Sequence, residues 1–527
     1  MGMYVNPGNA GFKRISGPDY VDKTLLIEHI NKRINTRNKL VCISRPRRFG
    51  KTYTAKMLTA YYDCSCDSHN LFDDKKISEC ESYDKHLNQY NVILLDITGF
   101  ISNAIVNGKP LTEVTNDIVE SIKYDLCIIY PELSEMEDLG ECLKYCVDKK
   151  DCKKFIFIID EYDALIREAK NDDDAQEAYF HLLRYLFKND NLTPYVVAAA
   201  YLTGILPIKK INNLASTSDF YEYPITKSCD FAQFTGFLED EVIAKCNEKD
   251  FDYRYIKDLY CGYELSDIGP IFNPYSVMNA LQRSKCECYW NSTSASDSII
   301  PFINLKYDGL QEKIMRIIIG EEVPVNISNF KNDFKTFYNA DDVLTLLIHL
   351  GYLTYSDISR SVRIPNKELR EHFIQMLSYN NGEDWLKLVT RSKNLIDATV
   401  KEDIHTVETI MNEIVCEKHA PHFSDRATAL MLIIKYAFIY VVGRFTIREE
   451  YSSDISAAVL SCIPYKDTNF PVIMIEYKAS DSHDCLIEYI KGEKYATDMK
   501  SFAGNIILVG INYDEKTGKH TCTIERA

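Results

Sequence analysis

The nonapeptide SRPRRFGKT, residues 44–52, stands between an apolar run, residues 40–43, and a helix-like segment, residues 53–61. Strand, loop, Gly-Lys-Thr and helix in that order leave few folds open, because they are the parts of a phosphate-binding loop. Backbone N–H groups at a helix N-terminus point at an anion, and the helix dipole adds partial positive charge there. Gly50 lets the backbone come close without a side chain in the way. Lys51 would reach the β and γ phosphates of a nucleotide, and Thr52 would set a hydroxyl on Mg2+. The candidate ATP contacts are therefore Arg45, Pro46, Arg47, Arg48, Phe49, Gly50, Lys51, Thr52 and Tyr53. Where such loops carry their first Gly, this chain has Arg45. Taken alone, Gly-Lys-Thr is equally compatible with a surface turn.

A second element narrows the choice. In FIFIIDEYDALI, residues 155–166, five apolar residues end in Asp160 and Glu161. A continuous apolar run of this length reads as a strand buried on both faces, as in a parallel sheet. Carboxylates at the C-terminal end of such a strand stand where open α/β sheets bind ligands. Asp160 can join the Mg2+ shell, and Glu161 can orient or deprotonate a water that attacks the γ phosphate. The two elements read as Walker A-like and Walker B-like. The competing reading is that Asp160 and Glu161 cap the following helix.

Bulk properties set limits. The chain has 527 residues, enough for two to four domains, and 46% apolar and 12% aromatic content, enough for sizeable cores. Lys plus Arg is 61 and Asp plus Glu is 77, a net charge of −16, which argues against coating nucleic acid through bulk charge but permits a local basic groove. Seventeen cysteines without framework spacing, and an N-terminus without a basic-then-apolar pattern, suit an intracellular protein with free thiols. The longest apolar stretch, residues 427–443, is interrupted by Lys435 and too short to span a membrane.

The chain reads as three blocks. Residues 1–225 alternate strand candidates, at 40–43, 92–97, 155–159 and 195–202, with helix candidates at 24–33, 52–61, 111–127 and 175–187. That is the order of a P-loop α/β domain, a mainly parallel sheet with helices on both faces. Thr203 follows the fourth strand, either as a sensor of the γ phosphate or as a helix N-cap. Residues 226–375 are more helical and end in a helix, turn, strand pair and helix, a lid or winged-helix-like region to which no chemistry is assigned. Residues 380–527 start helical and continue with strands at 455–463, 472–477 and 505–509 and a helix at 485–500.

The third block holds a second constellation. Glu476 and Lys478 are two apart in VIMIEYKAS and share one face of a strand. Asp454 opens the preceding strand, and a hairpin would bring it beside Glu476. Asp454 and Glu476 could share Mg2+ while Lys478 stabilises charge at a phosphodiester. The plain alternative is a charge pair facing water.

The segments YVDKT, SRPRRFGKT, IDEYDALI, TGILPI, LYCGYEL, FNPYSVMNAL, GYLTY, IPNKELR, IEYKAS and GEKYA run from residue 20 to residue 496. In these the chain resembles AAA-ATPase-like proteins that carry a C-terminal domain of the PD-(D/E)XK nuclease superfamily, and the Arg-Pro-Arg-Arg-Phe-Gly-Lys loop is that family's own variant. The resemblance implies an ATP site at Lys51, Thr52, Asp160 and Glu161. It also implies a restriction-endonuclease-like α/β domain with Asp454, Glu476 and Lys478 at its core and DNA or RNA as partner. Family members usually place a Gly-rich turn and an Arg before the Asp, where this chain reads IREEYSSD, and a Gln where Tyr489 falls. Three readings stay open: an ATPase coupled to a nuclease, a switch-type NTPase whose degenerate nuclease-like domain only binds, and a nucleotide-binding scaffold with negligible turnover. Arg45, Arg48, Arg167 and Arg184 are the candidates for an arginine acting on a neighbouring subunit's nucleotide.

Overall fold

A computed structural model describes residues 2–149, 153–211, 214–215, 219–265, 268–290, 299–379, 383–416, 431, 433–435, 437–441, 445–451, 457–464, 470–479, 505–514 and 516–527. The chain divides into two compact units, Met1–Glu287 with Pro324–Pro365, and Cys288–Val323 with Asn366–Ala527.

The first unit is built on a five-stranded sheet. Its elements are β1 (Leu40–Ser44), α1 (Lys51–Tyr62), β2 (Asn91–Asp96), α2 (Ile97–Val106), α3 (Val114–Ile129), β3 (Phe155–Asp160), α4 (Ala164–Glu168), α5 (Asp173–Phe187), β4 (Val197–Gly204) and β5 (Tyr221–Tyr223). The order across the sheet is β2-β3-β4-β1-β5, and every pairing is parallel. All six residues of β3 are buried. Its odd-numbered apolar residues, Phe155, Phe157 and Ile159, join the core that includes α2, α3 and α5 residues, while Ile156 and Ile158 join the one around α1. Two covered faces explain why these strands read as continuous apolar runs. Each fully buried Ile or Phe contributes about 1.5–3 kcal/mol.

Two boundaries differ from the sequence expectation. The fourth strand begins at Val197 rather than 195, because Thr193–Val196, with Pro at its start, forms a helical turn. The helix expected from residue 111 begins as a 3-10 turn, Leu111–Glu113, before α3.

Beyond the sheet lie β6 (Cys261–Glu264), paired with β7 (Pro270–Phe272), and α6 (Pro274–Arg283). Asn273 caps α6, its side chain accepting from the Tyr275 and Ser276 N–H groups. Next come α7 (Ala340–Leu350), closed by Gly351 at φ 87°, and a hairpin of β8 (Thr354–Ser356) and β9 (Ser361–Arg363). With Lys367–Tyr379 this is the helix, turn, strand pair and helix read from the sequence. At Gly262, φ is 137° and a Cβ would lie 1.9 Å from the Pro365 carbonyl oxygen, so only glycine fits.

The second unit contains α8 (Lys367–Tyr379), α9 (Glu383–Val400), α10 (Ile404–Cys416), β10 (Phe445–Tyr451), β11 (Ala457–Pro464), β12 (Val472–Ala479), β13 (Ile506–Asp514) and β14 (Lys519–Arg526). The five strands follow in chain order, antiparallel except for the parallel pair β12–β13. One face, with Leu460, Ile473, Ile475, Val509 and Ile511, packs on apolar residues of α9 and α10. Strands β10 and β14 were not expected from sequence: FTIREEY and KHTCTIER interleave apolar with polar and charged residues and carry no continuous apolar run. The helix expected at 485–500 lies outside the described residues.

Candidate active site

Lys51 and the Asp160–Glu161 pair meet at the C-terminal edge of the parallel sheet. β1 delivers the loop, β3 delivers the carboxylates, and β4 runs between them, with Thr203 opposite Ile43 on one side and Asp160 on the other. The loop leaves the sheet with the Arg45 N–H donating to the Gly204 carbonyl at 2.9 Å. It turns through two left-handed residues, Arg48 at φ 70° and Gly50 at φ 89°, into α1. A Cβ on Gly50 would meet nothing within 4 Å. The conformation, not space, asks for glycine there. Glu161 is also left-handed, at φ 51°. Such backbone costs on the order of 1–3 kcal/mol per residue and collects at functional sites.

The Lys51 ammonium is buried. It donates to the carbonyls of Arg45 (3.2 Å) and Pro46 (3.0 Å) and lies 3.3 Å from Glu161 Oε1. Glu161 Oε2 pairs with Arg167 Nη1 at 2.9 Å. Burial by itself raises the Glu161 carboxyl, but the Lys51 and Arg167 charges outweigh it and hold the acid well below the usual carboxylate range. Its neighbour goes the other way. Burial pushes Asp160 up to about 6, reinforced by the Glu161 and Asp96 charges, against the pull of the Thr52 hydroxyl and Lys51. The Thr52 hydroxyl hydrogen-bonds the Asp160 carboxylate, and the two form an oxygen pair at the strand end. A hard divalent cation with most of its water retained fits that donor set.

Lys51, Thr52, Tyr53, Gly50, Phe49, Arg48, Arg47 and Glu161 line a cavity of about 490 Å³. Its apolar wall comes from Ile15, Tyr20, Val21, Met57, Phe234, Phe237 and Met278. The α6 side chains Tyr275, Met278, Asn279 and Gln282 complete it. No chemistry was assigned to that helix from sequence, and only tertiary structure brings it to the loop. Two ring contacts tie the loop to α6 and β6: the Arg48 guanidinium lies 3.9 Å over Tyr275, and Phe49, 1% exposed, meets Tyr263 edge to face at 5.0 Å.

Arg45 departs from its expected place among the nucleotide contacts. Its guanidinium is wholly buried and donates to Thr235 Oγ1 (2.7 Å) and to the carbonyls of Ser44 (2.8 Å), Tyr223 (2.6 Å) and Phe231 (3.4 Å). It fastens the loop to the chain beyond β5 and faces away from the cavity. Arg45, wholly buried, and Arg167, held by Glu161 and Asp163, are also not placed to reach a neighbouring subunit. Thr203 is no helix cap, since β4 continues through Gly204. The N–H groups of Ile205 and Leu206 donate instead to the Asp163 carboxylate, at 3.1 and 2.9 Å.

In the second unit Glu476 and Lys478 share one face of β12, opposite Val459 and Ala457 on β11 and Gly510 and Asn512 on β13. Glu476 is buried, its Oε2 without a hydrogen-bond partner among the described residues. Burial pushes its carboxyl up to about 7, against the pull of Lys478. Asp454 lies outside the described residues, so its approach to Glu476 is not seen. Among the described residues no three His, Cys, Asp or Glu side chains cluster as metal ligands, and no helix is long and apolar enough to cross a membrane.

No curated protein matches the chain. Among solved structures, the ORC2 protein of Aeropyrum pernix, in ADPNP–ADP complexes, aligns at 13% identity and a TM-score of 0.28 over 69% of this chain and 98% of that chain, too slight a likeness to bear on this site. The span that carries the loop, Asp160, Glu161 and Thr203, residues 8–212, matches the AAA-ATPase-like family model, described as Predicted AAA-ATPase.

Proposed function

We propose that this chain is a Mg2+-dependent ATP-binding protein that hydrolyses ATP. The observation that carries the reading is the Lys51–Glu161 pair, 3.3 Å apart at the C-terminal edge of a parallel sheet and beside a cavity of nucleotide size. In this reading the triphosphate lies on the N-terminus of α1, with Gly50, Lys51 and Thr52 against its phosphates. Arg47, Arg48, Phe49 and Tyr53 flank it. Thr52 and Asp160 would hold Mg2+, which neutralises phosphate charge. Water attacks the γ phosphorus, the bond to the ADP oxygen breaks, and Glu161 takes the water's proton. Thr203, on β4 between β1 and β3, would act as the γ-phosphate sensor. Phosphate release from ATP with Mg2+, lost on addition of a chelator and in Glu161→Gln, tests it. A wild-type chain that binds ATP and releases no phosphate refutes hydrolysis.

We infer for the C-terminal block a nuclease-like domain that meets DNA or RNA. Glu476 and Lys478 on one strand face, with Asp454 before them in sequence, favour a Mg2+-assisted site that cleaves. The segment IREEYSSD, without the usual Gly and Arg, favours the second reading, a regulatory NTPase whose degenerate domain binds without cutting. Nicking of DNA or RNA by wild type but not by Lys478→Ala decides for cleavage. Binding without nicking decides for the second. Thiol-rich composition and free described cysteines suit a reducing intracellular setting.

A further inference from the structure

Glu161 has two cationic neighbours, and the proposed reaction needs one of them to leave. Lys51 must move onto the nucleotide's phosphates, which frees Oε1 of Glu161. The other neighbour is fixed. Arg167 Nη1 lies 2.9 Å from Glu161 Oε2 and 2.8 Å from Asp163 Oδ1, and its side chain is 9% exposed. Asp163 is wholly buried and is itself held by the N–H groups of Ile205 and Leu206, just past the Thr203 strand end. A Cβ on Gly204 would lie 2.3 Å from Asp163 Oδ1, so glycine is what allows that approach. Arg167 Nε is buried without a hydrogen-bond partner among the described residues. The guanidinium is thus held for its two carboxylates and not to satisfy all its own donors.

We propose that Arg167 is a positioning residue for ATP hydrolysis: it keeps the Glu161 carboxylate aimed at the attacking water after the phosphates have drawn Lys51 away. The inference rests on the hydrolytic reading above. It runs from the strand end at Thr203–Gly204 through Asp163 and Arg167 to Glu161, so the order of that strand end reaches the general base through two ion pairs. It also reassigns an arginine that the sequence offered as one acting on another subunit.

The test compares wild type with Arg167→Lys. Lysine keeps the positive charge, but its shorter side chain ends short of Nη1, the nitrogen that meets both Glu161 and Asp163, and it lacks the planar guanidinium geometry. Steady-state phosphate release gives kcat and KM, and a fluorescent ATP analogue gives affinity separately. Arg167→Lys is expected to lower kcat at least about tenfold with KM and affinity within about twofold of wild type. Wild-type kcat in Arg167→Lys overturns the proposal. So does a fall in kcat with a parallel loss of affinity, the mark of a purely structural role. Absence of phosphate release from wild type would sink the hydrolytic reading itself, and the wild-type arm tells the two failures apart.

Discussion

Lys51 Nζ sits 3.3 Å from Glu161 Oε1 and donates at the same time to the carbonyls of Arg45 and Pro46. The ammonium that would bind phosphate is occupied by the loop's own oxygens and by the carboxylate proposed as general base. A triphosphate must therefore exchange these partners for its own oxygens, and the exchange releases Glu161 for chemistry. In the proposed reaction, nucleotide binding and activation of the base become one event.

Lys51→Ala follows from this relationship. The variant loses charge-assisted hydrogen bonds to phosphate, each worth about 1.5–3 kcal/mol, so ATP affinity is expected to fall about 10- to 100-fold. Titration calorimetry with ATP and Mg2+ measures it. Unchanged affinity would mean that the phosphates do not meet Lys51.

Arg45→Lys separates the loop's framework from its binding surface. Lysine cannot reach Thr235, Tyr223, Phe231 and Ser44 together, and a buried cation short of partners costs about 3–5 kcal/mol. Thermal unfolding is expected to show that loss. ATP affinity measured well below the melting temperature should stay within about threefold, since small changes in a supporting residue cost little once the fold is kept. A loss of affinity with no loss of stability would return Arg45 to the nucleotide.

What sequence could and could not show divides along physical lines. Residues 155–159 were legible because a strand covered on both faces must be apolar throughout, and the change to Asp160-Glu161 marks its C-terminal end. Gly50 was legible because a left-handed turn into a helix favours glycine. The direction of the Arg45 side chain was not, since a guanidinium beside a phosphate loop reads the same whether it faces ligand or core. The Tyr275 and Met278 wall was hidden because nothing local to FNPYSVMNAL records its contact with residues more than two hundred positions earlier. Strands β10 and β14 were missed because their few apolar residues, set among polar and charged ones, resemble a surface coil.

Phe49→Ala tests the tie between the loop and β6. The ring is 1% exposed and packs edge to face on Tyr263. Removing a buried phenyl costs about 3–5 kcal/mol. Urea unfolding of the first unit should lose that amount. ATP affinity should drop as well, because Phe49 carries the loop at its left-handed neighbours Arg48 and Gly50. Full stability in the variant would place the Phe49 ring outside the core.

Glu476 makes the second unit sensitive to pH in a definite direction. Its carboxyl is raised from an ordinary 4.5 to about 7 by burial, so the folded chain keeps a proton that the unfolded chain has released. Between those two values the native state binds more protons, and stability falls as pH rises. Above about 7 the folded protein bears a buried carboxylate at a cost on the order of 2 kcal/mol, allowing for solvent screening and the nearby Lys478. Denaturant unfolding of wild type is expected to weaken from pH 5 to pH 8, and Glu476→Gln, neutral throughout, should lose that part of the slope. Mg2+ at pH 8 should restabilise wild type and leave Glu476→Gln unmoved, because a cation favours the ionised acid and pulls its pKa down. A wild-type slope equal to that of Glu476→Gln would mean that Glu476 titrates normally, and Mg2+ stabilising both proteins alike would place the ion elsewhere.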